Sequence, residues 1–217
     1  MSNKSRLPIV MIGGGGHASV LVDILLQQGR EILAVVSPDD VNQRPIFSGI
    51  THLRNDDDVF GYLKEDIRLV NGIGMMPKSS LRRRMNEHFL SLGYKFETII
   101  ADSAFVSPFS EIGHGAQVLP MSIIQTGATI GNHSIVNTGA IIEHDCQIGE
   151  YNHIAPNATL CGQVITDENA YVGAGATIIQ GLSIGRKAVV GAGANLTKSL
   201  SANTIAYPAR VVTKIYV

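Results

Sequence analysis

Residues 124–148 read IQTGATIGNHSIVNTGAIIEHDCQI, and Ile124, Ile130, Val136, Ile142 and Ile148 fall at every sixth position. The series extends back through Val118 and Ile112 to Val106. It extends forward through Ile154, Leu160, Val172, Ile178, Ile184 and Val190 to Leu196, and only Thr166 breaks it. Four positions after each aliphatic residue sits mostly a small one, as at Ala116, Ser122, Ala128, Ser134, Ala140 and Cys146. A helix repeats near 3.6 residues and a half-buried strand at two, so neither produces six. A triangular coil does: each face is a short strand, each aliphatic residue points to the axis, and small residues fill the corners. Three hexapeptides make one coil, and roughly five coils fit the segment, stacked as a parallel β-helix. Glycine often follows the aliphatic residue directly, as at Gly113, Gly131, Gly149 and Gly173, and is expected there to relieve the turns.

The chain upstream has a different grammar. Leu7 to Ile12 is a short apolar run that suits a buried parallel strand. Gly13 to Gly16 follow at once. His17 to Gln28 then carries Val20, Leu21, Ile24 and Leu25 at helical spacing, and Gly29 ends it. Glu31 to Val36 and Ile67 to Ile73 read as further strands, and Pro77 and Ser79 open a helix through about Leu92. Strand, glycine loop, helix, strand is a βαβ unit, so residues 1–100 are expected to form a Rossmann-like α/β domain and residues 101–217 the β-helix with a C-terminal cap. Asn42 to Asp66 shows weak periodicity, with Asp56 to Asp58 as a solvated turn. Most of the run Arg82 to Arg84 is expected in solvent.

Composition excludes several classes. Lys plus Arg number 17 against 18 Asp plus Glu, so no electrostatic footprint for nucleic acid or an anionic membrane exists. No apolar run reaches the roughly 20 residues of a membrane span, and the N-terminus lacks a signal-peptide pattern. Two cysteines, Cys146 and Cys161, make no disulfide framework and read as reduced thiols. These features predict a cytoplasmic protein.

A glycine loop opening a helix suits a phosphate group, because its backbone N–H groups face the ligand. The loop fits a nucleotide-sugar pyrophosphate, or it is a tight turn only. Gly13, Gly15 and Ala18 imitate a dinucleotide fingerprint, but Ser37-Pro38 stands where a ribose-binding acid would end the second strand. In the repeat, Glu143-His144-Asp145-Cys146 places an imidazole two positions past an inward residue, on the prism surface near a corner. Such a histidine suits general-base catalysis, with Asp145 or Glu143 fixing its tautomer. His153 falls half a coil further on, on another face. His114 and His133 read as surface residues. His144 and His153 do not converge with them, so no metal is expected.

A Gly-Gly-His loop followed by a hexapeptide coil with Glu-His-Asp-Cys, His153-Ile154-Ala155-Pro156 and Gly173 to Ala176 resembles the sugar O/N-acetyltransferase family of the PglD and NeuD type. The likeness covers nearly the whole chain. It implies a left-handed β-helix and transfer from acetyl-CoA to the amino group of a nucleotide-linked 4-amino-4,6-dideoxysugar. It further implies that His144 is the general base and Asp145 its orienting acid, with Asn137 near the acceptor amine. His153, Ala174 and Ala192 would line an acetyl-CoA groove between neighbouring prisms. Gly15, Gly16, His17, Ser37 and Gly74 would meet the nucleotide sugar. A site between prisms implies a homotrimer. The sequence departs from the family's pattern twice. Ser37-Pro38 precedes Asp39-Asp40 where an acidic pair is usual, and Ala206-Tyr207-Pro208-Ala209 replaces Gly-x-Pro-Ala. Sialic acid O-acetylation and a non-catalytic nucleotide-sugar scaffold are the other readings.

Overall fold

The structure, a computed structural model, describes residues 6–209; residues 210–217 of the expected C-terminal cap lie outside them. Contacts divide the chain into two units. The first holds residues up to Asp102 together with His114–Leu119, and the second holds Ser103–Gly113 and the residues from Pro120 on.

In the first unit, β1 (Ile9–Ile12) leads through the glycine loop into α1 (Gly16–Gln27), then β2 (Ile32–Val36), β3 (Thr51–Leu53), β4 (Arg68–Asn71) and α2 (Leu81–Ser91). The sheet order is β3-β2-β1-β4 and every pairing is parallel. The chain leaves β1 toward β2 and β3 on one side, and β4 returns on the other. The strand order therefore switches at the carboxyl ends of β1 and β4, where such sheets bind ligands. Val10, Ile12, Ala34, Val36, Leu69 and Phe89 form the core on one face. The short strand β3 falls in the stretch with weak periodicity, and Asp56 to Asp58 start a 3₁₀ helix rather than a free turn. Asn55 and Asp58 form a capping box there. Helix α2 begins two residues past Ser79, after its N-cap at Ser80. Arg82 is not in solvent: it is buried, and its Nη1 donates to the carbonyls of Asn71 and Ile73 at 2.9 and 2.7 Å.

In the second unit, two-residue strands recur every six residues and stack in parallel on three faces. One face runs from Glu111–Ile112 to Ser183–Ile184, another from Phe105–Val106 to Asn195–Leu196, and the third from Ile135–Val136 to Ile205–Ala206. Strands pair with the one eighteen residues on, as Ile135 with His153 and Ile141 with Thr159, except at the end, where Val189 pairs with Ile205. From Ile124 to Val190 the aliphatic series is almost completely shielded, and Thr166 joins it with its hydroxyl accepting the Gly149 N–H at 3.1 Å. That bond explains why a polar residue is tolerated on the axis.

The turns are made differently from the expectation. Glycines such as Gly131 and Gly149 keep an ordinary backbone. They are small because the next coil is close: a methyl group on Gly131 would lie 2.5 Å from the Gly149 carbonyl carbon. The left-handed residue comes two positions later. Every sixth residue from Gly115 to Gly193 has φ between 52° and 72°. Eight of those fourteen positions are not glycine, Asp145 among them. A left-handed residue of this kind carries strain of order 1 kcal/mol, which coil stacking offsets.

Candidate active site

His144 and Asp145 occupy the corner that follows the strand Ile141–Ile142. Their backbone is held from both sides. The Asp145 N–H donates to the Thr126 carbonyl one coil back at 3.1 Å, and the His144 carbonyl accepts from the Gln163 N–H one coil on at 2.9 Å. Asp145 has φ 59°. Asp tolerates this region better than most residues, and the backbone turn brings its carboxylate beside the preceding imidazole. His144 Nδ1 lies 2.9 Å from Asp145 Oδ2. A carboxylate only accepts, so Nδ1 carries the proton and Nε2 keeps its lone pair. The result is an oriented base whose Nε2 is left for a substrate, with just over half of the side chain exposed. Asp145 rather than Glu143 makes the bond.

The imidazole lies against Gly162, at the same place one coil on. A methyl group there would sit 2.5 Å from both Cε1 and Nε2. Cys146 follows the dyad but points inward, and its thiol donates to the Cys161 carbonyl at 3.2 Å. Burial pushes this thiol up to about 11, so it is a poor nucleophile at neutral pH.

Asn137 and His153, assigned from the resemblance to two different ligands, touch each other: Asn137 Nδ2 lies 3.1 Å from His153 Nε2. The Asn137 Oδ1 accepts the Thr138 N–H at 2.8 Å, which fixes the amide so that Nδ2 faces the ring. His153 Nε2 is therefore the acceptor of that bond. His153 sits in a strand, not at a corner, and only 6% of it is exposed; its ring centroid lies 5.0 Å from that of Tyr171. His133 is likewise not a surface residue. It is buried and stacks on Tyr151 with ring centroids 5.0 Å apart. His114 is exposed. Ala174 and Ala192 are exposed after successive strands of one face, and the Ala174 carbonyl accepts the Gly193 N–H at 2.8 Å. Among the described residues, no three His, Cys, Asp or Glu side chains gather where a metal ion could be held.

The remaining predicted residues cluster at the strand-order switch of the first unit. Gly15 caps α1 without any side-chain bond, and a methyl group on Gly15 or Gly16 would meet nothing within 4 Å. Ser37 is buried with its side chain packed on Gly14. Gly74 lies beside the Cβ of His17. The His17 Nε2 lies 2.7 Å from Gln117 Oε1, while Gln117 Nε2 donates to the Asn71 carbonyl at 2.8 Å. The second bond fixes the amide, so His17 Nε2 is the donor and Nδ1 the acceptor. Sequence reasoning passed over Gln117 and Asn71 beside His17; Gln117 stands at an ordinary strand position of the repeat, which hid it.

Burial, then the charge of Arg82, pull His17 from 6.5 down to about 4, against the raising effect of the Gln117 bond. Between those values the unfolded chain binds a proton that the folded chain refuses. Stability therefore falls as pH drops from 6.5 toward 4 and is insensitive to His17 above 6.5. The loss is at most about 3 kcal/mol, reduced by screening because the residue keeps some surface. Urea melts at about pH 7 and about pH 4.5 check it: wild type should lose more stability between them than His17→Asn, and equal losses would count against the shift.

The stacked coil defines a class, the hexapeptide-repeat proteins. Two family models match the chain, "PglD N-terminal domain" over residues 8–89 and "Bacterial transferase hexapeptide (six repeats)" over residues 127–162. The chain belongs to the hexapeptide-repeat acetyltransferases with a PglD-type N-terminal domain, and its β-helix is left-handed. It is 33% identical over 177 residues to the GDP-perosamine N-acetyltransferase of Escherichia coli O157:H7, covering 79% of this chain and 78% of that protein. It is similar in structure to PerB from Caulobacter crescentus in complex with CoA and GDP-perosamine, with TM-score 0.82 and 31% identity over 95% of this chain and 97% of that one. The acetyltransferase domain of PglB from Neisseria gonorrhoeae FA1090, in complex with acetyl coenzyme A, matches with TM-score 0.82 and 27% identity over 96% of this chain and 100% of that one. No helix among the described residues is long and apolar enough to cross a membrane.

Proposed function

We propose that the chain transfers the acetyl group of acetyl-CoA to the 4-amino group of a nucleotide-linked 4-amino-4,6-dideoxysugar. The observation that carries the reading is the His144–Asp145 pair, a half-exposed imidazole on a hexapeptide corner with its proton held on Nδ1 by the carboxylate. The sugar amine attacks the thioester carbonyl, a C–N bond forms and the C–S bond breaks. His144 Nε2 takes the proton that the nitrogen loses, and Asp145 steadies the resulting imidazolium. The sulfur leaves as a thiolate. No covalent enzyme intermediate is needed, in keeping with the raised Cys146 thiol.

Asn137 stands near the acceptor amine, and His153, Ala174 and Ala192 hold the acetyl-CoA. Gly15, Gly16, His17, Ser37 and Gly74 hold the nucleotide sugar, with helix N–H groups meeting the pyrophosphate. In this reading the protein works as a cytoplasmic homotrimer, with acetyl-CoA bound between prisms, in bacterial surface-glycan synthesis. The 33% identity to a GDP-perosamine N-acetyltransferase supports a GDP-linked sugar as the acceptor.

The test follows free thiol released from acetyl-CoA with GDP-, dTDP- and UDP-linked 4-amino-4,6-dideoxysugars and with sialic acid. Rapid release is expected with the GDP-linked amino sugar. Release with sialic acid alone would replace the reading by O-acetylation, and binding of a nucleotide sugar without any release would replace it by a scaffold.

A further inference from the structure

Gly162 is the residue in the catalytic corner whose identity the coil does not explain. Its backbone is not left-handed. The equivalent positions on neighbouring coils are Pro108, Thr126, His144 and Gln180, so the coil accepts side chains there. Gly162 also does not follow the pattern of Gly131 or Gly149, whose missing side chains make room for the backbone of the next coil. What a methyl group at Gly162 would meet is the imidazole of His144, with Cε1 and Nε2 at 2.5 Å and Cδ2 at 3.1 Å. The ring rests on bare backbone.

The neighbouring glycine makes the contrast. A methyl group on Gly127 would strike the carboxylate of Asp145, one coil on. The same arrangement recurs at Gly139 beneath Asn157. An Asp or Asn reaching over a corner glycine is thus a habit of this coil. An aromatic ring reaching over a glycine with an ordinary backbone occurs, among the described glycines, at Gly162 alone.

We propose that Gly162 is a positioning residue for His144, and that its missing side chain is what sets the height and tilt of the base. The inference rests on the reading of His144 as that base. Ordinary contact begins near 3.4 Å, so an alanine would drive Cε1 and Nε2 outward by about 1 Å. The ring is free to yield, because His144 is more than half exposed. The strain is therefore relieved by swinging the imidazole rather than by opening the coil. Swinging it moves Nε2 and pulls Nδ1 from Asp145 Oδ2. A displacement of that size at a reacting centre is enough for a loss of up to about a hundredfold in rate.

The test is a double-mutant cycle on the full chain with Gly162→Ala, His144→Ala and the two combined, read as kcat, KM for acetyl-CoA and thermal midpoint. Gly162→Ala alone is expected to lower kcat about 10- to 100-fold, with KM for acetyl-CoA and the thermal midpoint nearly unchanged. In the His144→Ala background the same substitution should change the residual rate less than about twofold, because no ring remains to be displaced. Three results would overturn the proposal. One is a Gly162→Ala kcat within twofold of wild type. Another is a rate loss of equal size in both backgrounds, which would assign the effect to the Gly162 backbone. The third is a rate loss that follows a fall in thermal midpoint. If His144→Ala itself keeps near-normal turnover, the base reading fails instead, and the cycle shows which of the two has gone.

Discussion

His144→Ala is expected to lower turnover about 10²–10⁴-fold while the β-helix stays folded. The size follows from what is removed. The imidazole is the group whose tautomer the Asp145 carboxylate sets, at 2.9 Å from Nδ1. General-base assistance contributes that range, equivalent to about 3–5 kcal/mol of barrier. The fold should survive because the side chain is more than half exposed and packs on Gly162 rather than in the core. The measurement is kcat with the best acceptor of the panel, beside a circular dichroism melt. Turnover within threefold of wild type would remove His144 from the mechanism. Turnover lost together with the melt would leave only a structural role.

The largest stability effect is expected inside the prism. Ile154 is fully buried, and its register places it between Val136 and Val172 on the coils before and after. Ile154→Ala removes three carbons from a stack whose spacing is set by backbone bonds on both sides. Those bonds keep the coils from closing the gap, so the cavity term adds to the lost transfer energy. A loss of about 2–5 kcal/mol is expected in denaturant unfolding. A loss under about 1 kcal/mol would mean that the axis repacks like a loose core.

The period of six carried most of the fold to the reader of the sequence. Sixteen positions from Val106 to Leu196 repeat with one exception, and no other common architecture imposes that spacing. The βαβ opening was equally plain, with α1 beginning at Gly16 where the glycine run ends. The left-handed corner residues were harder to see, because Met121, Tyr151 and Lys187 occupy positions where a glycine would have announced the turn. Only stacking overrides the local preference there, and stacking is not a local property. Strand β3 was hidden for a related reason. Its three residues are largely exposed or half-buried and show no alternation, so its pairing with β2 is what makes it a strand. At the candidate site, residue type and spacing offered His144 as a candidate base but left Asp145 and Glu143 open as its partner, and the resemblance pointed to Asp145. Gly162 could not be named that way, since its relation to His144 spans a whole coil. Asn137 and His153 were named separately, and only the fold shows that they are one hydrogen-bonded pair.

The ladder of eighteen-residue steps also governs how a chain of this kind can change length. A deletion of six residues upstream of His144 would still leave aliphatic residues on the axis and small residues at the corners. It would build a sound prism with the dyad rotated onto the wrong face. A deletion of eighteen would keep the face and shift the dyad along the axis by one coil. A six-residue deletion between residues 144 and 162 would break the alignment of the imidazole with its glycine while sparing the core. Insertions escape all of this if they bulge out at a corner and return to the same point. Divergence among chains of this design should therefore be recorded as corner loops and whole coils, while single hexapeptides are gained or lost only beyond the last residue that the chemistry uses.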